Sequence, residues 1–141
     1  MNPAYFDTHF EHPHYWDDPP AEFAIITAYA STGETWTSLE NESADKQLEA
    51  DLRRGRCWMQ RLTGYSPATG HAEPGWAVEL DFDTACDLGL RFRQDAIYYV
   101  IGDTLHVTRC NELRTLVEVA AFSSRAHLRS PPSGDPEYAK W

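Results

Sequence analysis

At 141 residues the chain has the length of one domain, not two. Its formal charge of −10, from 22 acidic and 12 basic side chains, argues against a duplex-binding surface, which needs Lys and Arg to displace counterions from phosphates. Aromatic content of 13% argues against disorder, and no apolar run approaches the ~18 residues of a membrane span.

Residues 1–22 are rich in His, Pro and aromatic side chains. Pro3, Pro13, Pro19 and Pro20 forbid a long helix, while Tyr5, Phe6, Phe10, Tyr15 and Trp16 are too apolar for a solvated tail. An irregular aromatic arm laid over the domain is expected. The apolar run Phe23–Tyr29 suits a strand buried on both faces. Ser31–Glu42 is polar and reads as a loop. Ala44, Leu48 and Leu52 then recur at helical spacing, with Glu42–Lys46 and Glu49–Arg53 as i,i+4 pairs. Asn41 or Ser43 is the expected cap and Gly55 the stop.

Cys57–Thr63 reads as a second strand, Gly64–Gly75 as a loop, and Trp76–Leu80 as a third strand. Asp81 or Asp83 caps a second helix running to about Arg93. Ala96–Ile101 and Thr104–Thr108 form a hairpin, with Gly102 at the first position of a type II′ turn. Leu116–Phe122 is a weaker strand or helix, and 130–141, with three prolines, is an expected flexible tail. The order is βαββαβ plus one strand. The expected class is α+β in a ferredoxin-like order, with an extra C-terminal hairpin strand and the irregular arm. The expected organisation is an arm (1–22), a single domain (23–129) and the tail (130–141).

Three cysteines, Cys57, Cys86 and Cys110, are odd in number and widely spaced. They read as buried reduced thiols, not a disulfide framework or a zinc ribbon. The N-terminus lacks the basic and apolar regions of a signal peptide, so a cytoplasmic location is expected, with no membrane partner. Arg53, Arg54, Arg56 and Arg61 form at most a local basic patch, and no nucleic-acid partner is expected.

The chain contains no Gly-rich phosphate loop, nucleophile elbow or His-Glu-x-x-His, and nothing in it requires a cofactor. The strongest candidates for chemistry are His71 and Glu73. In an extended segment, residues two apart share a side, and a carboxylate beside an imidazole fixes its tautomer as a general base requires. Gly64, Gly70 and Gly75 leave room for backbone approach. Ser38, Glu40 and Asn41 precede the first helix, whose start could receive an anion or simply be capped by them. Gln94 could bond a ligand or satisfy helix-end carbonyls. His9, His12 and His14, near Glu11, Asp17 and Asp18, are a weak metal set at a spacing that matches no known motif.

Ile26-Thr27-Ala28-Tyr29, Glu40-Asn41-Glu42, Thr63-Gly64, His71-Ala72-Glu73-Pro74-Gly75-Trp76 and Phe92-Arg93-Gln94-Asp95-Ala96-Ile97 occur in that order around the first helix. Together they resemble a family of short bacterial proteins catalogued as domain of unknown function 3293, over roughly residues 23–110. The resemblance implies a bacterial stand-alone domain and brings no activity, cofactor or catalytic residue with it. The leading functional expectation is a binding or regulatory module for a small polar ligand or a protein partner. Its surface would join Ser38, Glu40, Asn41, Gly64, His71, Glu73 and Gln94. One rival is a small hydrolase or phosphodiesterase using the His71–Glu73 pair, weakened by the lack of a nucleophile. The other is an acidic inhibitor or interaction protein.

Overall fold

The centre of the sheet is the apolar run that begins at Phe23. In the computed structural model, which describes residues 1–16, 18–30 and 36–129, that run forms β2 (Glu22–Ile26). Around it lie β1 (His9–His12), α1 (Ser38–Arg54), β3 (Met59–Tyr65), β4 (Ala72–Val78), α2 (Phe82–Arg91), β5 (Ala96–Ile101), β6 (Thr104–Arg109), β7 (Val117–Ala121) and β8 (Ala126–Leu128). The protein is α+β, with two α-helices and one eight-stranded sheet in the order β7-β6-β5-β2-β4-β3-β1-β8. Every pairing is antiparallel except β1 with β8, so the sheet is mixed.

The sheet is larger than the strands expected from 23–129. The arm, expected to be irregular, contains a 3-10 turn at Pro3–Phe6 and contributes β1, which pairs with both β3 and β8. Phe10 on β1 is 1% exposed, a burial that stabilises by roughly 1.5–3 kcal/mol. The segment at Leu116–Phe122, open between strand and helix in the sequence, is strand β7 followed by a 3-10 turn.

Both faces of β2 are covered, as its unbroken apolar run requires. Ala24 and Ile26 pack on one face with Leu48 and Leu52 of α1, Ala85 and Cys86 of α2, and Trp76, Val78, Ile97 and Tyr99. Phe23 and Ile25 pack on the other face with Phe10, Trp16, Leu62, Tyr98 and Val107. The second face is enclosed by curling of the sheet. Phe10 on β1 lies 5.1 Å from the ring of Tyr98 on β5, although β3, β4 and β2 separate those strands in the sheet order.

Several boundaries differ from the sequence expectation. The first helix begins at Ser38, not after Asn41. Thr37 is its cap: Thr37 Oγ1 accepts from the Glu40 amide and Glu40 Oε1 accepts from the Thr37 amide, both at 3.1 Å. That reciprocal Thr-x-x-Glu box satisfies two backbone donors, which outweighs the poor helix propensity of the polar first turn. Gly55 is the C-cap with ordinary helical φ, and the positive φ falls on Arg56 instead. The third strand starts at Ala72 rather than Trp76, and the second runs on to Tyr65, so only 66–71 form the loop. Gly70, at φ 76°, supplies the turn that lets Ser66 and His71 close the hairpin. Asp81 caps α2, accepting from the Thr84 amide at 2.7 Å. Gly102, at φ 61°, turns β5 into β6 as expected. The expected tail, 130–141, and residues 31–35 of the expected loop at 31–42 lie outside the described residues.

Candidate functional site

The concave side of the curled sheet holds a cavity of about 210 Å³. Its floor follows from the pairing of β3 with β4. Leu62 sits opposite Gly75, and Gly64 opposite Glu73. Two of those four positions carry no side chain, so the floor is hollowed where a sheet would normally be filled. A Cβ at Gly75 would lie 2.8 Å from the carbonyl oxygen of Ile26, so β2 and β4 approach there only because Gly75 is glycine. A Cβ at Gly64 would make ordinary contacts at 3.5 Å with Phe10 and Thr8. The arm closes one side of the cavity with Asn2, Tyr5, Thr8 and Phe10.

His71 and Glu73 stand at this cavity and meet each other. His71 Nε2 lies 3.1 Å from Glu73 Oε1. An ionised carboxylate only accepts, so Nε2 carries a hydrogen in this contact. The His71 side chain is 72% exposed and that of Glu73 28%. Among the described residues no Ser, Thr or Cys side chain is hydrogen-bonded to the His71 ring.

Gln94 reaches the same cavity from between α2 and β5. It is 7% exposed, and its Nε2 donates to Tyr29 O at 2.8 Å and Phe92 O at 3.1 Å. It therefore satisfies a helix-end carbonyl and also borders the cavity. Tyr98 lies across from it, its hydroxyl donating to Tyr5 O at 2.6 Å. Burial pushes that phenol well above its ordinary range, so it stays neutral.

The first-turn candidates lie elsewhere. Ser38 opens α1, Glu40 completes the capping box, and Asn41 Oδ1 accepts from the Ala30 amide at 2.9 Å, tying the segment after β2 to the helix. None of the three lines the cavity. The arm histidines also diverge. His9 Nδ1 meets His127 Nε2 at 2.9 Å, and His12 Nδ1 bonds the His14 carbonyl oxygen at 2.8 Å. Asp17 lies outside the described residues. Among the described residues no group of three or more His, Cys, Asp or Glu is placed to hold a metal ion.

Residues 26–97, just over half of the 141-residue chain, match the family described as Protein of unknown function (DUF3293). The chain belongs to that family. No curated protein and no solved structure matches it. The DUF3293 stretch contains Gly64, His71, Glu73, Gly75 and Gln94; the arm residues of the cavity precede it and Tyr98 follows it.

Two features of the DUF3293 chain escaped the sequence reading. The first is the arm as cavity wall: its aromatic content suggested packing, but nothing in it indicated that Tyr5 and Phe10 would face His71 and Gln94. The second is a cluster on the helical side of the sheet. Arg61 binds Asp45 through both guanidinium nitrogens, at 2.8 and 2.7 Å, and lies 4.4 Å over the Trp76 ring. Residues 16 apart in different elements carry no local signal. Arg53, Arg54 and Arg61, read as a basic patch, are each paired with a carboxylate, to Glu49, Asp51 and Asp45. Of the three thiols, Cys86 and Cys110 are buried, while Cys57 is partly exposed at the foot of α1. Burial pushes the Cys110 thiol up to about 12. Among the described residues no helix is long and apolar enough to cross a membrane.

Proposed function

We propose that this protein is a binding or regulatory module whose small ligand occupies the cavity between the β3–β4 floor and the N-terminal arm. One observation carries the reading. A single cavity gathers Gly64, His71, Glu73 and Gln94 from separate segments, among mostly apolar walls. An apolar concavity with a few convergent polar groups is what small-molecule recognition requires. At about 210 Å³ it exceeds the roughly 150 Å³ that admits a benzene ring. The core that carries it is read here as a ferredoxin-like unit, supported by the inner order β5-β2-β4-β3 with α1 and α2 on one face.

Thermal shift against a panel of nucleotides, amino acids, amines and sugars tests the proposal. At least one compound is expected to raise the melting temperature of the full chain, and His71→Ala with Glu73→Gln should remove that rise. A broad panel without any shift contradicts the reading. The 3.1 Å contact also favours, second, a hydrolytic role with His71 as base. Phosphoester or ester turnover lost in His71→Ala would support that second reading, and its persistence in the variant would sink it. Binding is preferred because the imidazole is largely in water and no nucleophile among the described residues is bonded to it.

A further inference from the structure

The charge and hydrogen-bonding capacity of the cavity select among ligands. Among the described residues Glu73 is its one carboxylate, and no Lys or Arg lines it. The Glu73 side chain, 28% exposed, is screened by water less than a surface carboxylate would be. Gln94, another of the polar side chains that line the cavity, offers an acceptor as well. Both amide hydrogens of Gln94 are spent on the carbonyls of Tyr29 and Phe92. Turning the amide round would set Oε1 against two carbonyl oxygens, so its orientation is fixed. Oε1 is left as an acceptor on a residue 7% exposed, with no donor on it among the described residues. The Tyr98 hydroxyl offers no hydrogen to a ligand, because it donates to Tyr5 O.

The walls agree with the charge. Tyr5 packs edge to face on Tyr98 at 6.2 Å, and Phe10 on the same ring at 5.1 Å. Aromatic faces are negative and attract cations, and they cover an apolar body equally well. We infer that the ligand is a small organic cation: a protonated amine or amidine on an apolar body of about one ring. Its N–H groups donate to Glu73 and to Gln94 Oε1, and its body lies against Phe10, Leu62 and Tyr98. An anionic ligand would meet Glu73 with no Lys or Arg among the described lining residues to offset it. This inference rests on the binding reading above and fixes the chemical class of its ligand.

Calorimetric titration of the full chain with benzylamine, benzamidine, benzyl alcohol and benzoate tests it. The four probes share a ring and differ in charge. The two cations are expected to bind at least about tenfold more tightly than benzyl alcohol, with benzoate weakest. Glu73→Gln should abolish most of that preference. This variant changes the net charge only from −10 to −9, so a general attraction of an acidic protein for cations would survive it. Its melting temperature, measured alongside, reports whether it folds. If it does not fold, Glu73→Asp serves instead and should retain the sign of the preference at reduced strength. Benzyl alcohol or benzoate binding as tightly as the amines would overturn the cation assignment and leave the cavity as a binding site. An undiminished preference in Glu73→Gln would do the same. Absence of binding by all four probes would contradict the inference and, with a silent ligand panel, the binding reading beneath it.

Discussion

His9 and His127 join the two outermost strands on one side of the sheet through ring nitrogens 2.9 Å apart, with their rings stacked at 5.2 Å. One ring must be neutral to accept the other's hydrogen. Burial, then the Arg125 guanidinium, then His127 itself hold His9 below its ordinary value of 6.5. The sign follows from that depression. Above pH 6.5 the imidazole is neutral whether folded or not, and the contact is intact. As pH falls below 6.5 the unfolded chain takes the proton first, and stability is lost until the folded value is passed. Melting curves from pH 7.5 to 5 should therefore fall faster for the natural chain than for His9→Phe. The exchange of the Phe10 amide, which donates to Arg125 O at 2.7 Å, should rise over the same interval. Parallel melting curves for the two proteins would refute this role. These residues are 118 apart, so the pairing had no trace in a reading that grouped His9 with His12 and His14 by sequence distance alone.

At the scale of elements, close packing of α2 on the sheet depends on Gly89. A Cβ there would lie 2.6 Å from Cys110 Sγ and 2.9 Å from Ile97 Cγ2, both buried. Alanine is the better helix former by about 1 kcal/mol, but overpacking a filled core costs typically 1–3 kcal/mol. Gly89→Ala should thus destabilise by about 1 kcal/mol net in urea titration, while Gly64→Ala, with only ordinary contacts, should fold near the natural stability. Equal or greater stability of Gly89→Ala would show that α2 can lift from the sheet without cost. The centres of the elements were legible because they rest on local periodicity: Leu48 and Leu52 for α1, the apolar run of β2, and Gly102 in its turn. The ends were less so. The start of α1 was placed too late because the polar run Ser38–Glu42 hides the box that Thr37 and Glu40 form. The β3–β4 hairpin was cut short because Gly64, Pro74 and Gly75 are poor strand formers, kept in strand by cross-strand pairing and by the approach of β2.

The whole molecule is organised by one fact of topology: the sheet curls until Phe10 of the arm reaches Tyr98 of β5. That closure buries a second core and leaves a cavity where Gly64 and Gly75 leave the floor unfilled. His71, Glu73 and Gln94 were legible as candidates because their residue types stand out in polar segments. Their meeting on one surface was expected, but the way β3, β4 and the start of β5 set them side by side was not legible. Nor was the separation of Ser38, Glu40 and Asn41, whose polar groups serve the helix start and the Ala30 amide instead. The eight-stranded size of the sheet was hidden because β1 and β8 are short and lie in segments rich in His, Pro and Arg, where alternation is faint. The most direct test is amide chemical-shift mapping of the full chain titrated with benzylamine. Shifts confined to Gly64, Tyr65, Glu73, Gln94 and the Tyr5–Phe10 arm are expected, saturating together. Shifts scattered over the acidic surface, or centred on α1, would contradict a ligand site in this cavity.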